Sequence, residues 1–141
     1  MNEGRVIKLP KTEYLRIVEG AKSAYPNEGC GLIAGTDEGN VRSIGKVYVL
    51  QNTDRSPQHF SLDPREQLAA VKDMRENGWR PLGNWHSHPT TPSRPSEEDK
   101  RLAFDKNASY LILSLAGEEP ILNAFHIENG ESQKEIIEII E

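Results

Sequence analysis

The chain has 141 residues, close to the ~150 of an average domain, so one hydrophobic core has to carry whatever the protein does. Charged residues make up 28%, with 17 basic against 22 acidic for a net charge of −5, and the apolar share of 35% is lean but foldable. This balance argues against the basic face of a nucleic-acid binder. Apolar runs such as 109–116 are too short to cross a bilayer, and MNEGRVIKLP lacks the apolar stretch of a secretion signal, so the expectation is a cytoplasmic protein with no membrane and no nucleic-acid partner. A single cysteine, Cys30, permits no internal disulfide and no cysteine-rich metal cage, which suits a reducing compartment.

In chain order, Val6 to Leu9 reads as a short strand and Pro10 to Tyr25 as a helix with an apolar face at Tyr14, Leu15, Val18, Ala21 and Ala24. NEGCGLIAG at 27–35 and VRSIGKVYVLQN at 41–52 read as two strands of a hairpin across the turn-like TDEGN. A polar loop, NTDRSPQHFSLDP, leads into a second helix from Pro64 to about Asn77, with Pro in its first turn and Gly78 past its end. PLGNWHSHP at 81–89 alternates like a strand, TTPSRP is a loop, and a third helix starts near Ser96. YLILSLAG and ILNAFHIENG read as strands, whereas in ESQKEIIEII the periodicity fits strand or helix. The whole is expected to be one domain, 1–141, of α/β (α+β layered) class, with one sheet flanked by helices.

The stretch GNWHSHPTTPSRPSEEDK at 83–100 carries the chemistry. On a strand, His86 and His88 point to one face about 7 Å apart along the chain, so two imidazoles can converge on one metal. Asp99 follows eleven residues after His88 at the first turn of a helix, and the proline-rich loop can bring it to the same place. Two His and one carboxylate leave the fourth position of a tetrahedral zinc open, and water held there has its pKa lowered to about 7. The same Ser96-Glu97-Glu98-Asp99 stretch also reads as a capping box, in which Ser96 and Asp99 satisfy free amides at the helix start. Taken alone that segment favours a cap, and Asp99 cannot give all its oxygens to a cap and still ligate well.

The full string, His-Ser-His-Pro with seven residues between His88 and Ser96 and two between Ser96 and Asp99, resembles without a gap the signature of the JAMM metalloproteases, also called the MPN or Mov34 family. Glu28 in YPNEGCGLIAG stands where that family has its upstream glutamate, and the likeness extends over roughly 5–128. The resemblance implies a curved mixed sheet packed between helices, like that of the cytidine deaminases. It implies His86, His88 and Asp99 as ligands of one zinc (Zn2+), Glu28 as general base, and Ser96 as donor to the oxyanion. Those roles suit metal-assisted hydrolysis, with a carboxylate to shuttle protons and a hydroxyl placed where negative charge develops.

Other candidates read as ordinary. Cys30 shares a strand face with Glu28 but is expected to be packing, and Trp85 to lie in the core. His59 and His126 fall in no metal spacing and are expected at the surface or in support of other residues. Glu97, Glu98 and Lys100 form a solvated helix face. The chain looks like the small prokaryotic members of the family, which act on ubiquitin-like sulfur-carrier proteins after the C-terminal Gly-Gly. The expected partner is such a carrier, facing the loop at 53–63. The alternatives are a metal-free scaffold of the same fold, which has no need of this residue set, and a deaminase, which would ordinarily need a Cys-x-x-Cys pair that one cysteine cannot supply.

Overall fold

A computed structural model describes residues 4–141. The elements are β1 (Val6–Pro10), α1 (Lys11–Ala24), β2 (Cys30–Glu38), β3 (Val41–Leu50), α2 (Pro64–Glu76), β4 (Arg80–His88), α3 (Glu97–Arg101), β5 (Ser109–Ser114), β6 (Ile121–Glu128) and β7 (Glu131–Ile140). The expected mixed sheet is present, and its curvature goes further than expected, to closure. The strands run β1-β3-β2-β4-β5-β6-β7 and return to β1, which pairs parallel with β3 on one edge and with β7 on the other. The β4–β5 pair is also parallel, and the remaining neighbours are antiparallel.

Local chemistry explains most boundaries. Asp63 accepts a hydrogen bond from the Arg65 N–H at the start of α2, Pro64 occupies its first position, and Gly78 past its end takes a φ of +73°. The hairpin between β2 and β3 is as expected, with β2 starting and ending three residues later than the sequence suggested, β3 ending two earlier, and Gly39 at φ +65° in the turn. The ambiguous terminal segment is a strand. Asn129 and Gly130, both at positive φ (+55° and +77°), make the tight turn that lays β7 antiparallel on β6. The helix beginning at Ser96 is brief, five residues.

The two faces of the sheet carry different cores. Ile33, Trp85, Leu111 and Leu113 pack with Ile17, Val18 and Ala21 of α1. On the opposite face Ala34 and Tyr48 pack with Ala70 and Met74 of α2, and Tyr110, Ile112, Phe125 and Ile127 form a third cluster. Gly31 is required by a close approach: a Cβ there would lie 1.7 Å from the Tyr48 carbonyl, the group that accepts the Trp85 indole N–H at 3.0 Å. Trp85 is fully buried, as expected. No helix among the described residues is long and apolar enough to cross a membrane.

Candidate active site

Strand β4 ends in the two histidines, and its alternation turns both rings to one face while Trp85 and Ser87 turn to the other. His86 Nε2 and His88 Nε2 are 3.2 Å apart, and Asp99 Oδ2 lies 3.2 Å from the first and 3.1 Å from the second. His88 Nδ1 is 2.8 Å from the Pro92 carbonyl, an acceptor, so in the neutral ring Nδ1 carries the proton and Nε2 presents its lone pair. That lone pair faces a carboxylate oxygen, an arrangement a cation relieves. The edges of the triangle also suit one: two ligands at about 2.0–2.1 Å from a tetrahedral zinc stand roughly 3.3 Å apart. The donor set therefore fits a divalent metal.

The cap and the carboxylate that faces the imidazoles are one device. Ser96 Oγ accepts the Asp99 N–H at 3.0 Å and the Ser96 N–H donates to Asp99 Oδ2 at 2.9 Å, a complete capping box. The oxygen that closes the cap is the one that faces both imidazoles, so the cap aims the carboxylate instead of competing for it. Ser96 is exposed, and its hydroxyl hydrogen remains free to donate.

Glu28 is buried beside this cluster, 2% exposed, and its Oε1 has no hydrogen-bond partner. Burial pushes its carboxyl up to about 8, opposed by the charge of His88 and reinforced by Asp99 and Glu98. Asp99 moves the other way. Burial raises it, but hydrogen bonds to His86 and His88 outweigh that and hold it well below the usual carboxylate range. Burial lowers His88, yet its bonds to Asp99 and the Pro92 carbonyl leave it raised.

Three residues that position the site escaped the sequence reading. Ser87, fully buried between the two histidines, accepts the Gly29 N–H on its hydroxyl at 2.7 Å and donates its own N–H to the Gly29 carbonyl at 3.0 Å, pinning the residue after Glu28 to β4. Asn52 donates to the carbonyls of Glu28 (3.1 Å) and His59 (3.0 Å) and accepts from the N–H groups of Asp54 and Ser61, so one amide ties the loop after β3 to Glu28. Phe60, carried by that loop, stacks on His86 with ring centroids 4.9 Å apart. A buried serine at a core-facing strand position and an Asn two residues before an Asp were the available signals.

The remaining candidates resolve as follows. Cys30 is fully buried and burial raises its thiol to about 12, consistent with packing. His59 lies on the loop, its Nδ1 3.0 Å from Asp54 Oδ2, and lines the cleft. His126 is buried on β6, 3.3 Å from Glu128, and so is not a surface residue. The cleft beside the triangle has a volume of about 480 Å3, with His86, Asp99 and Glu98 at one side and Phe60, Leu62 and Phe104 among its apolar walls.

Residues 10–128 match the family model described as prokaryotic homologs of the JAB domain. The CysO-cysteine peptidase of Mycobacterium tuberculosis is 31% identical over 126 residues, 89% of this chain and 85% of that protein. The desampylase of Haloferax volcanii is 31% identical over 100 residues, 70% of each chain. A solution structure of a Desulfitobacterium hafniense protein superposes with a TM-score of 0.89 at 53% identity, covering 96% of this chain and 93% of that one. Fold, spacing and sequence agree, and the chain belongs to the prokaryotic branch of the JAB (JAMM/MPN) family.

Proposed function

We propose that the protein is a zinc-dependent peptidase that hydrolyses the bond after the C-terminal Gly-Gly of a ubiquitin-like sulfur-carrier protein, with 1–141 acting as one cytoplasmic catalytic unit. The observation that carries this reading is the triangle of His86, His88 and Asp99 with the buried, unpaired carboxyl of Glu28 beside it. The peptidase and desampylase relatives support the substrate class. The curved sheet suits a relationship to the cytidine deaminases, while the lone Cys30 argues against their chemistry.

His86, His88 and Asp99 would hold one zinc per chain, which would supply Lewis-acid chemistry for the scissile carbonyl and for water. Glu28 takes the proton as the water oxygen bonds to the carbonyl carbon, and returns it to the nitrogen when the C–N bond breaks, so that the amine leaves neutral and Glu28 is a carboxylate again. Ser96 donates its hydroxyl hydrogen to the oxygen on which charge develops, from a position its own cap holds rigid. A Gly-Gly tail suits the cleft because glycine lets main chain approach these groups closely.

The test is intact-mass spectrometry of carriers that bear a short extension beyond Gly-Gly. Trimming back to Gly-Gly, with an unrelated folded protein left whole, is the expected result. General peptides cut while every carrier stays unprocessed would overturn the substrate class, and a protein that binds zinc at neutral pH but cuts neither would favour a scaffold.

A further inference from the structure

One polar group in the cleft has no role in the chemistry above. Asn84 stands two residues before His86 on β4, on the same face, and lines the cleft that holds His86 and Asp99. Its Oδ1 is buried and without a hydrogen-bond partner. Its register neighbours cannot supply one: Leu32 on β2 has no polar side chain, and the Tyr110 hydroxyl on β5 is engaged with Asp105, donating to its carbonyl at 3.1 Å and accepting its N–H at 3.3 Å. Strands β4 and β5 run close here: a Cβ on Gly83 would lie 1.9 Å from the Ser109 carbonyl. Asn84 and Tyr110 also line a second cleft, of about 630 Å3, that takes in Arg80 and Asp105, so Asn84 borders both this cleft and the one that holds the triangle.

A buried acceptor without a partner is costly, and it is retained where a ligand brings the donor. A Gly-Gly tail has no side-chain donors, which leaves its main-chain N–H groups. Two residues of β4 separate Asn84 from His86 by about 7 Å, and two residues of an extended tail span the same distance. We propose that Asn84 Oδ1 accepts a main-chain N–H of the substrate tail about two residues upstream of the scissile bond, and so sets the register in which the tail is cut. This rests on the Gly-Gly reading above.

The experiment compares Asn84→Leu with the unaltered enzyme on carriers in which each of the last three tail amides before the scissile bond is replaced in turn by an ester, which removes one N–H. On the all-amide carrier, Asn84→Leu is expected to lower kcat/KM about tenfold to a hundredfold at unchanged zinc content. One ester lowers the unaltered enzyme by a similar factor and leaves Asn84→Leu no worse. Independent losses at every ester position, or no loss on the all-amide carrier, would overturn the proposal. Glu28→Gln protein titrated with a free peptide ending in Gly-Gly gives a readout that needs neither turnover nor a stable Asn84 variant. The Asn84 side-chain amide resonances should shift with saturation, and resonances that stay fixed while others move, or no binding at all, would also overturn it. Failure of the unaltered enzyme to trim any carrier would instead count against the Gly-Gly reading.

Discussion

Two buried charged clusters in this protein are built on opposite principles. In the first, Arg5 donates to Glu135 Oε2 at 2.8 Å, Ser109 donates to Glu135 Oε1 at 2.7 Å, and Arg42 donates to Ser109 at 2.8 Å and to the Leu82 carbonyl at 2.9 Å. Both oxygens of the buried carboxylate therefore meet a donor. In the second, the His88 lone pair faces a carboxylate oxygen, and the Glu28 carboxyl is buried with one oxygen unpaired. The Glu135 carboxylate is satisfied within the polypeptide and ties strands together. In the neutral imidazole state the second cluster sets a lone pair against a carboxylate, an arrangement that a bound cation would relieve.

The largest break in this contrast is expected from His88→Ala. Removing one corner of the triangle should abolish stoichiometric zinc and with it all cleavage, while the fold survives, because the histidine ends β4 and its ring faces Asp99 and the Pro92 carbonyl. Elemental analysis beside far-UV circular dichroism checks this, and retained zinc would mean that other residues hold it.

Glu28→Gln sharpens the contrast from inside the same cluster. Glutamine keeps the shape but cannot take a proton, so zinc content should persist while cleavage slows about 10²- to 10⁴-fold. The variant also carries a pH signature in the metal-free protein. Folded Glu28 holds its proton up to about 8 against an ordinary value of 4.5, so between those values the folded state binds more protons than the unfolded one. Its contribution is fully present at low pH and is lost as pH rises through about 8. Thermal unfolding of the metal-free protein should therefore fall less steeply with pH in Glu28→Gln, and parallel curves would place the carboxyl in a far more hydrated setting.

Glu135→Gln is the smallest of the three for activity and acts on stability instead. It breaks the buried Arg5–Glu135 ion pair, at a cost of about 3 kcal/mol. Chemical denaturation should register that loss, and cleavage per folded, zinc-loaded molecule should be unchanged. A drop in turnover would mean the two clusters are coupled.

What could be read in the sequence follows from how local each feature is. His86, His88, Ser96 and Asp99 lie within one short stretch, and the Asp63–Pro64 start of α2 is set by adjacent residues, so pattern alone finds them. Glu28 came only through family resemblance, because the groups that fix its place, Ser87 of β4 on Gly29 and Asn52 of the loop after β3 on the Glu28 carbonyl, are distant in sequence. Asn84 looks like any polar strand residue until its neighbours are known to be otherwise engaged. The strand nature of β7 was available in the Asn129-Gly130 turn, although Ile-Ile-Glu-Ile-Ile fits either period. Closure of the sheet was not, since it joins residues at opposite ends of the chain.

That closure bears on biogenesis. Strand β1 meets β3 on one edge after a short stretch of chain, but its other neighbour, residues 136–140, is made only long after it. The Arg5–Glu135 ion pair spans a sequence separation of 130. Until β7 arrives, a nascent chain presents an open edge at β1, the kind of surface that invites strand exchange with another copy. Final assembly of the barrel thus waits on β7, and deletion of residues 131–140 should yield chains that aggregate during expression even though His86, His88 and Asp99 are all present.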